Sequence, residues 1–313
     1  MFKNISNIKL IAIFAGLVLI YGAIKLWGNS GRSKSFRSEL VEFDTAKVSS
    51  VSIFNPGDTV TLAKQNGDWK LKLSGGKEVD ALDNVVESAL TTLQGVTPSR
   101  IATRDENKYK DFQVDTTGTR VQVYEGDNKA LDLVIGRFGM QGQRQFYTYV
   151  KLYEEPEVYA ADNFMGMSVA TNPAGFRDKK LIEATKDSIS AVSFRYPGDS
   201  SFFMRKSVEG QWLIDNQVTD SAQVADYLSD LRYATISDFA DDRELSDLGN
   251  ATYRIEVTIK GSEPVVLEAY NDPQYNLLIH SSANPEAIFA DADSSSFKDL
   301  FLGPGTLLAP EEE

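Results

Sequence analysis

The sequence contains no cysteine and only one histidine, His280, among its 313 residues. The lack of cysteine excludes disulfides, thiolate metal sites, thiol nucleophiles and a lipidated cysteine of the lipoprotein type. One histidine excludes most zinc sites. No Gly-x-Ser-x-Gly elbow accompanies His280, so a histidine at a strand end is preferred over a catalytic one. The sequence therefore predicts no cofactor and no catalytic residues, which indicates a protein that is not an enzyme.

Basic residues are scarce beyond the N-terminus. Residues 1–37 carry six Lys or Arg and no Asp or Glu, so the remainder has 26 basic and 45 acidic side chains and a net charge of −19. Phosphate backbones repel a domain this acidic, which argues against nucleic-acid binding, and anionic lipid repels it as well. The simplest role of this charge is solubility.

Charges are absent from residues 10–24, LIAIFAGLVLIYGAI, which Lys9 and Lys25 bracket. Because lysine stems snorkel toward headgroups, this run predicts a transmembrane helix at residues 10–27. The side chains expected in lipid or at its interface are Leu10, Ile11, Phe14, Leu17, Leu19, Tyr21 and Trp27. A cleaved signal peptide is the alternative, but no convincing small-x-small cleavage site follows the run.

The segments around this anchor bear on its orientation. Residues 1–9 form a basic N-tail and residues 28–38 a polar linker. The positive-inside rule alone slightly favours a cytoplasmic domain, because more Lys and Arg follow the helix than precede it. A short basic tail before an apolar run is, however, the usual pattern of an N-in signal anchor. We therefore expect a single-pass protein of the cell membrane with the bulk of the chain extracytoplasmic, on the periplasmic side.

An internal repeat organises the rest of the chain. Phe36-Arg37 recurs as Phe176-Arg177, Pro56-Gly57-Asp58 as Pro197-Gly198-Asp199, and Gly67-Asp68-Trp69 as Gly210-Gln211-Trp212. The offset drifts from 141 to about 130, as shortened loops would produce. The series predicts repeat domains at 39–175 and 176–302 and an acidic C-terminal tail at 303–313. The paired tryptophans are interpreted as core anchors, with a ligand-stacking platform as the alternative.

Each repeat is predicted to have an α+β fold. Val48–Phe54 and Thr59–Lys64 alternate around a Pro-Gly-Asp turn, which indicates a hairpin. A helical stripe follows, with Asp80 or Asp83 as its cap and Gly95 as its end; its residues are Leu82, Val85, Val86, Ala89, Leu90 and Leu93. Strands outnumber helices and connections are short. This favours, in each of the two tandem repeats, a mainly antiparallel sheet with a helix packed on one face.

Clustered carboxylates are the remaining candidates for chemistry. The clusters are Asp105, Glu106 and Asp111 in the first repeat and Asp241, Asp242, Glu244 and Asp247 in the second. Oxygen ligands of this kind could bind Ca²⁺, but solvated acidic helix starts are the preferred interpretation. Asp291-Ala-Asp293 opens like a calcium loop but lacks its glycine and its final glutamate. The sequence therefore predicts no metal site.

The segment Gly136-Arg-Phe-Gly139-Met-Gln-Gly142 follows a predicted strand at Leu131–Ile135. It matches neither the dinucleotide fingerprint nor the P-loop, so a mobile hairpin loop is preferred over a phosphate cradle. Aromatic residues come next. A partner surface is one interpretation and ordinary strand packing the other; the surface would comprise Gly136, Gly139, Gly142, Phe146, Tyr147 and Tyr149.

The Phe-Arg…Leu starts, the Trp-containing strand, Leu133–Gly136, Tyr147–Val150 and Glu157–Tyr159 together resemble a bacterial family catalogued as a domain of unknown function. The resemblance covers about residues 36–300. Members of that family typically have one N-terminal membrane helix and repeated domains. They are often encoded beside ABC-type exporters that carry gliding-motility-type auxiliary subunits. The resemblance supplies no catalytic residues, and the second repeat departs from it with Glu268-Ala269-Tyr270 in place of Val134-Ile135-Gly136.

The resemblance implies a non-enzymatic, membrane-anchored accessory or scaffold subunit of an envelope ABC-transporter complex. Its expected partners are membrane lipid, through the N-terminal helix, and the permease or auxiliary subunits of the transporter. An extracytoplasmic binding module is the alternative, with an envelope polymer or cationic ligand in a groove between the repeats. A carboxylate-based hydrolase using Asp241 and Asp242 is a third hypothesis.

Overall fold

The computed structural model describes residues 37, 39–142, 144–185 and 187–309. Within these residues, no helix is both long and apolar enough to cross a bilayer. The predicted anchor at residues 10–27 lies outside the described part of the chain, as do Leu10, Ile11, Phe14, Leu17, Leu19, Tyr21 and Trp27.

Two antiparallel sheets form the described part of the chain. The strands of the first sheet are β1 (Ser50–Asn55), β2 (Asp58–Gln65), β3 (Asp68–Lys72), β4 (Glu78–Asp80), β5 (Pro98–Thr103), β6 (Thr119–Glu125), β7 (Asn128–Gln141), β8 (Gln145–Leu152) and β9 (Val158–Asp162). Their order across the sheet is β4-β3-β2-β1-β6-β7-β8-β9-β5. Two α-helices accompany this sheet, α1 (Asp83–Gln94) and α2 (Tyr109–Phe112).

The strands of the second sheet are β10 (Ile189–Arg195), β11 (Phe202–Lys206), β12 (Trp212–Ile214), β13 (Gln217–Val218), β14 (Tyr253–Ile259), β15 (Val265–Asp272), β16 (Asn276–Ser281) and β17 (Asn284–Ala290). Their order is β13-β12-β11-β10-β14-β15-β16-β17, which repeats that of the first sheet without a counterpart of β5. The accompanying helices are α3 (Ser221–Arg232), α4 (Ser295–Leu300) and α5 (Pro304–Leu307). The prediction of a mixed fold with antiparallel sheets is confirmed.

Short 3-10 helices interrupt the connections between these elements. They span Thr45–Lys47, Glu106–Lys108, Gly166–Ser168, Pro173–Phe176 and Leu245–Asp247. Leu307 of α5 is buried, and Leu308 forms an isolated antiparallel bridge with Thr219, which lies next to β13. Residues 304–308 therefore pack against the second sheet.

The predicted hairpin and helix of the first sheet are present. Gly57 has a φ of +97° in the turn between β1 and β2, a conformation that glycine adopts without strain. Helix α1 buries Val86, Leu90 and Leu93 and ends at Gly95. Its predicted cap is wrong, because Leu82 occupies the N-cap position and provides no side-chain hydrogen bond. Asp83 accepts a hydrogen bond from the Trp69 backbone instead, at 3.0 Å, and so joins the helix to β3.

Each sheet has its own apolar core. The core of the first sheet includes Trp69 and the buried face of α1. The core of the second includes Phe289 and the buried face of α3, with Trp212 half-buried against it. Both tryptophans thus contribute to cores, as the repeat predicted, although only Trp69 is fully enclosed. The opposite face of each sheet carries a smaller apolar cluster, around Tyr149 in the first and Tyr270 in the second.

Replacing Leu90 by Ala should destabilise the protein by about 2–5 kcal/mol, because the change leaves a cavity between α1 and the first sheet. The measurement is urea unfolding of the full chain followed by tryptophan fluorescence. Glu87→Ala on the exposed face of the same helix is the control and should change stability by less than about 0.5 kcal/mol. Equal effects of the two substitutions would contradict this packing.

Candidate partner surfaces

The hairpin of β7 and β8 carries the six residues of the predicted partner surface. β7 continues to Gln141, so most of the predicted glycine loop is strand. Only Gly142 lies in the turn, with a φ of +68°. A Cβ at Gly136 would lie 2.3 Å from the Phe112 carbonyl oxygen, and one at Gly139 would lie 2.6 Å from the Tyr147 ring. Two of the three glycines therefore permit close approach of other groups.

Tyr147 and Tyr149 lie on the outer face of the first sheet, opposite its main core. Tyr149 is buried and contacts Phe112 edge-to-face, with 4.6 Å between ring centroids. Tyr147 is half-buried, 5.2 Å from Tyr149, and the Arg100 guanidinium lies 4.9 Å from its ring centroid. These two rings therefore pack within the protein, against each other and against Phe112 and Arg100.

Near the turn of the same hairpin, the face opposite Tyr147 and Tyr149 carries apolar side chains that are partly exposed. Phe146 stacks against Phe138 at 6.0 Å, and Met140 is the register partner of Phe146. Met140 is 61% exposed, Met165 43% and Met167 69%. We call this set, Phe138, Met140, Phe146, Met165 and Met167, the methionine patch. It holds three of the five methionines in the chain.

Hydrogen bonds hold the two parts of the methionine patch together. The Asn163 amide donates to the Phe146 carbonyl at 3.0 Å. The Thr148 hydroxyl donates to the Phe164 carbonyl at 2.6 Å and accepts from the Gly166 amide at 3.3 Å. Met165 and Met167 flank Gly166, so they lie beside the end of β8. Sequence reasoning missed four of the five patch residues, although Met165-Gly166-Met167, a few residues after β9, was a usable signal.

A cleft of about 390 Å³ lies between the two sheets. Its walls come from residues 79–82 of the first sheet and from Arg177, Phe239 and residues 283–287 of the second. Buried Arg177 donates to both carboxylate oxygens of Asp241, at 2.8 and 2.9 Å, and its guanidinium lies 3.6 Å from the Phe239 ring centroid. Arg177 is therefore already paired within the protein.

Several of the carboxylates singled out in the sequence have structural partners. Asp242 accepts from Tyr275 and Arg243, both at 2.8 Å, whereas Asp241 binds Arg177. Asp105 caps a 3-10 helix, and Asp291 accepts from two backbone amides in the first turn of α4. Among the described residues, no group of three or more His, Asp or Glu is arranged to hold a metal ion. Asp105 and Asp291 therefore cap helix N-termini, and Asp241 and Asp242 form ion pairs.

A second cavity, of about 600 Å³, opens on the outer face of the first sheet. Its lining includes Phe54, Tyr109, Val134 and Tyr153 together with two cations, Arg120 and Lys151. We call it the outer cavity. It is larger than the cleft between the sheets and more apolar in its lining residues.

Arg120 is held at this cavity by Asp132. Its Nε and Nη2 donate to the two carboxylate oxygens, both at 2.7 Å, and Lys129 and Gln122 donate to the same carboxylate. Burial alone would raise the pKa of Asp132, but these hydrogen bonds outweigh it and lower the pKa to about 2. Asp132 therefore remains ionised across the physiological range.

A family model described as Domain of unknown function (DUF4340) matches residues 72–252, which is more than half of the chain. The match begins at the last residue of β3 and ends just before β14, so it draws on both sheets. No curated protein and no solved structure matches the chain.

Asp132→Asn should destabilise the protein by about 2 kcal/mol at pH 7. Folding lowers the pKa of Asp132 from 3.8 to about 2, and a tenfold change in a protonation equilibrium corresponds to about 1.4 kcal/mol. The pKa of the folded state is the lower one, so this contribution is complete above about pH 4 and is lost as the pH falls toward about 2. Urea unfolding at pH 7, 4 and 2.5 measures the difference. Asp127→Asn in the exposed β6–β7 turn is the control. A difference that stays constant from pH 7 to 2.5 would contradict the assignment.

Proposed function

We propose a role for this protein that starts from its family: the chain belongs to the family described as Domain of unknown function (DUF4340). In this proposal the protein is a non-enzymatic, membrane-anchored accessory or scaffold subunit of an envelope ABC-transporter complex. The helix at residues 10–27 contacts lipid and the permease, and the two sheets lie on the periplasmic side and dock an extracytoplasmic part of the transporter.

The methionine patch carries this proposal. Methionine is flexible and polarizable, and exposed methionines are common at surfaces that bind protein partners. An apolar cluster on a soluble domain commonly marks an interaction site. Residues 38–313 carry a net charge of −19, so an apolar cluster is unusual on their surface. The methionine patch is therefore the surface that an apolar partner would bind.

The position of the patch favours an extracytoplasmic partner. Arg37, which directly precedes the end of the predicted linker, forms an ion pair with Glu155 in the turn after β8. The patch lies at the other end of β8, and a strand of eight residues spans about 25 Å. The chain therefore enters the first sheet at the end away from the methionine patch. A partner on the patch would be a domain that extends from the membrane rather than a transmembrane helix.

The duplicated architecture supports a scaffold role. We interpret the two sheets as tandem repeats, each with a helix on one face, following one transmembrane helix. The shared strand order supports this interpretation, as do the equivalent helices α1 and α3. The repeats contact each other through Lys77, whose Nζ lies 3.1 Å from Oε1 of Glu244. Two joined units offer a partner a longer surface than either alone.

The cleft between the sheets favours a second candidate function, an extracytoplasmic binding module for an envelope polymer or cationic ligand. Its volume of about 390 Å³ would admit a small group of such a ligand. Arg177 at the cleft is neutralised by Asp241 and Asp80 is paired with Lys70, so Glu286 is the lining carboxylate that would attract a cation. Salt-sensitive binding of an envelope fraction by the full chain would favour this candidate over the scaffold role.

Met140→Asp combined with Met167→Asp should lower the recovery of transporter subunits with the protein at least tenfold, because charge would enter an apolar contact. The measurement is co-purification from native membranes in mild detergent. Val208→Asp is the matched control, since Val208 is a fully exposed apolar residue in the turn between β11 and β12, and it should leave recovery unchanged. Recovery of the unaltered protein without any transporter component would contradict the proposal.

Leu17→Arg combined with Leu19→Arg should release the protein from membranes, because each arginine adds about 2.5–3.5 kcal/mol to the cost of inserting the predicted helix. Carbonate-washed membrane pellets measure retention, and protease treatment of intact spheroplasts measures the side on which the sheets lie. Leu17→Val with Leu19→Val is the control and should stay in the pellet. A native protein that is fully soluble and lacks its first thirty or so residues would contradict the anchor.

A further inference from the structure

Equivalent rows of side chains cross the outer faces of the two sheets. In the first sheet, Phe54 is the register partner of Arg120, Arg120 of Val134, and Val134 of Lys151. In the second sheet the row reads Arg195, Arg254, Glu268 and His280. The rows occupy the same four strands in the same order, so Val134 corresponds to Glu268 and Lys151 to His280.

The row of the second sheet contains a carboxylate, Glu268, which contacts the arginine and the histidine on either side of it. Glu268 accepts from Nη1 of Arg254 at 2.7 Å through one oxygen. Its other oxygen accepts from the Tyr270 hydroxyl at 3.0 Å and lies 3.9 Å from Nδ1 of His280. The side chain of Glu268 thus joins the arginine to the imidazole.

The row of the first sheet lacks that carboxylate. Val134 stands where Glu268 stands in the second row, and Gly136 stands where Tyr270 stands. Arg120 donates to Asp132 through Nε and Nη2, and its Nη1 takes no part in that pair. In the second sheet, Nη1 of Arg254 is the atom that binds Glu268. The space beside Val134 is part of the outer cavity of about 600 Å³.

Lys151 is a buried cation at this cavity. Lys151 is only 7% exposed, and its Nζ donates to the carbonyl oxygens of Leu152 at 3.2 Å and Tyr153 at 2.6 Å. An ammonium group has three donors, so one remains after these two bonds. None of the described carboxylates forms an ion pair with Lys151. Burial lowers the pKa of Lys151 by more than the nearby carboxylates of Glu106, Asp132 and Glu155 raise it.

We propose that the outer cavity binds a small organic carboxylate with an apolar or aromatic body, whose carboxylate takes the place that the Glu268 side chain holds in the second sheet. The anion lies between Arg120 and Lys151. The apolar body contacts Val134 and the rings of Phe54, Tyr109 and Tyr153, which line the cavity. The volume is within the range of small-molecule sites. This site is independent of partner docking at the methionine patch.

The test uses the full chain in detergent and three probes, phenylacetate, 3-phenylpropionate and the uncharged phenylacetamide, in saturation-transfer NMR titrations. Both carboxylates should bind saturably and the amide at least tenfold more weakly. Lys151→Met keeps most of the side-chain volume without the charge and should weaken carboxylate binding at least tenfold. Val134→Glu supplies an internal carboxylate and should have the same effect.

Glu268→Gln in the second sheet is the location control and should leave carboxylate affinity unchanged. Thermal unfolding identifies any variant that fails to fold, and either cavity variant alone decides the outcome if the other does not fold. The proposal is overturned if neither carboxylate binds the unaltered protein, if phenylacetamide binds as tightly as phenylacetate, or if the folded cavity variants retain full affinity.

Discussion

The cross-strand register of the two sheets is the constraint on which both candidate surfaces depend. Successive side chains of a strand point to opposite faces, so a slip of one residue would exchange core and outer face. Val121, Leu133 and Val150 are fully buried in the core of the first sheet and hold this register. Arg120 and Lys151, each adjacent to one of them in sequence, must then face outward. Core packing thus sets the outer row.

Features governed by local patterns could be predicted from the sequence. The hairpin of β1 and β2 and the buried stripe of α1 follow from alternation, turn residues and helical spacing, which involve only neighbouring residues. β5 escapes prediction because it has no regular apolar alternation and exists through its pairing with β9, about sixty residues away. The N-terminus of α1 escapes as well, since Asp83 binds the backbone of β3 rather than the helix.

The candidate sites were less predictable because their residues meet only through nonlocal packing. Gly136 and Gly139 resemble a loop in the sequence, yet what they require is room for the Phe112 carbonyl and the Tyr147 ring. The methionine patch joins Met140 to Met165 and Met167 through the hydrogen bonds that run beside β8. Neither arrangement leaves a periodic signal, so residue types could suggest a surface at the hairpin but not its members.

The difference between the two outer rows explains how an acidic protein can offer a site to an anion. The charge of −19 repels anions at long range, but salt screens that repulsion beyond about 8–10 Å. Of the two cations that line the outer cavity, Lys151 is the one without an ion-paired carboxylate among the described residues, and aromatic side chains line the walls around it. A small ligand with an apolar body gains from both contacts, whereas a simple hydrated anion gains only from the charge. The cavity therefore selects for apolar surface as strongly as for a negative group, and the second sheet, with Glu268 in place, has no such preference.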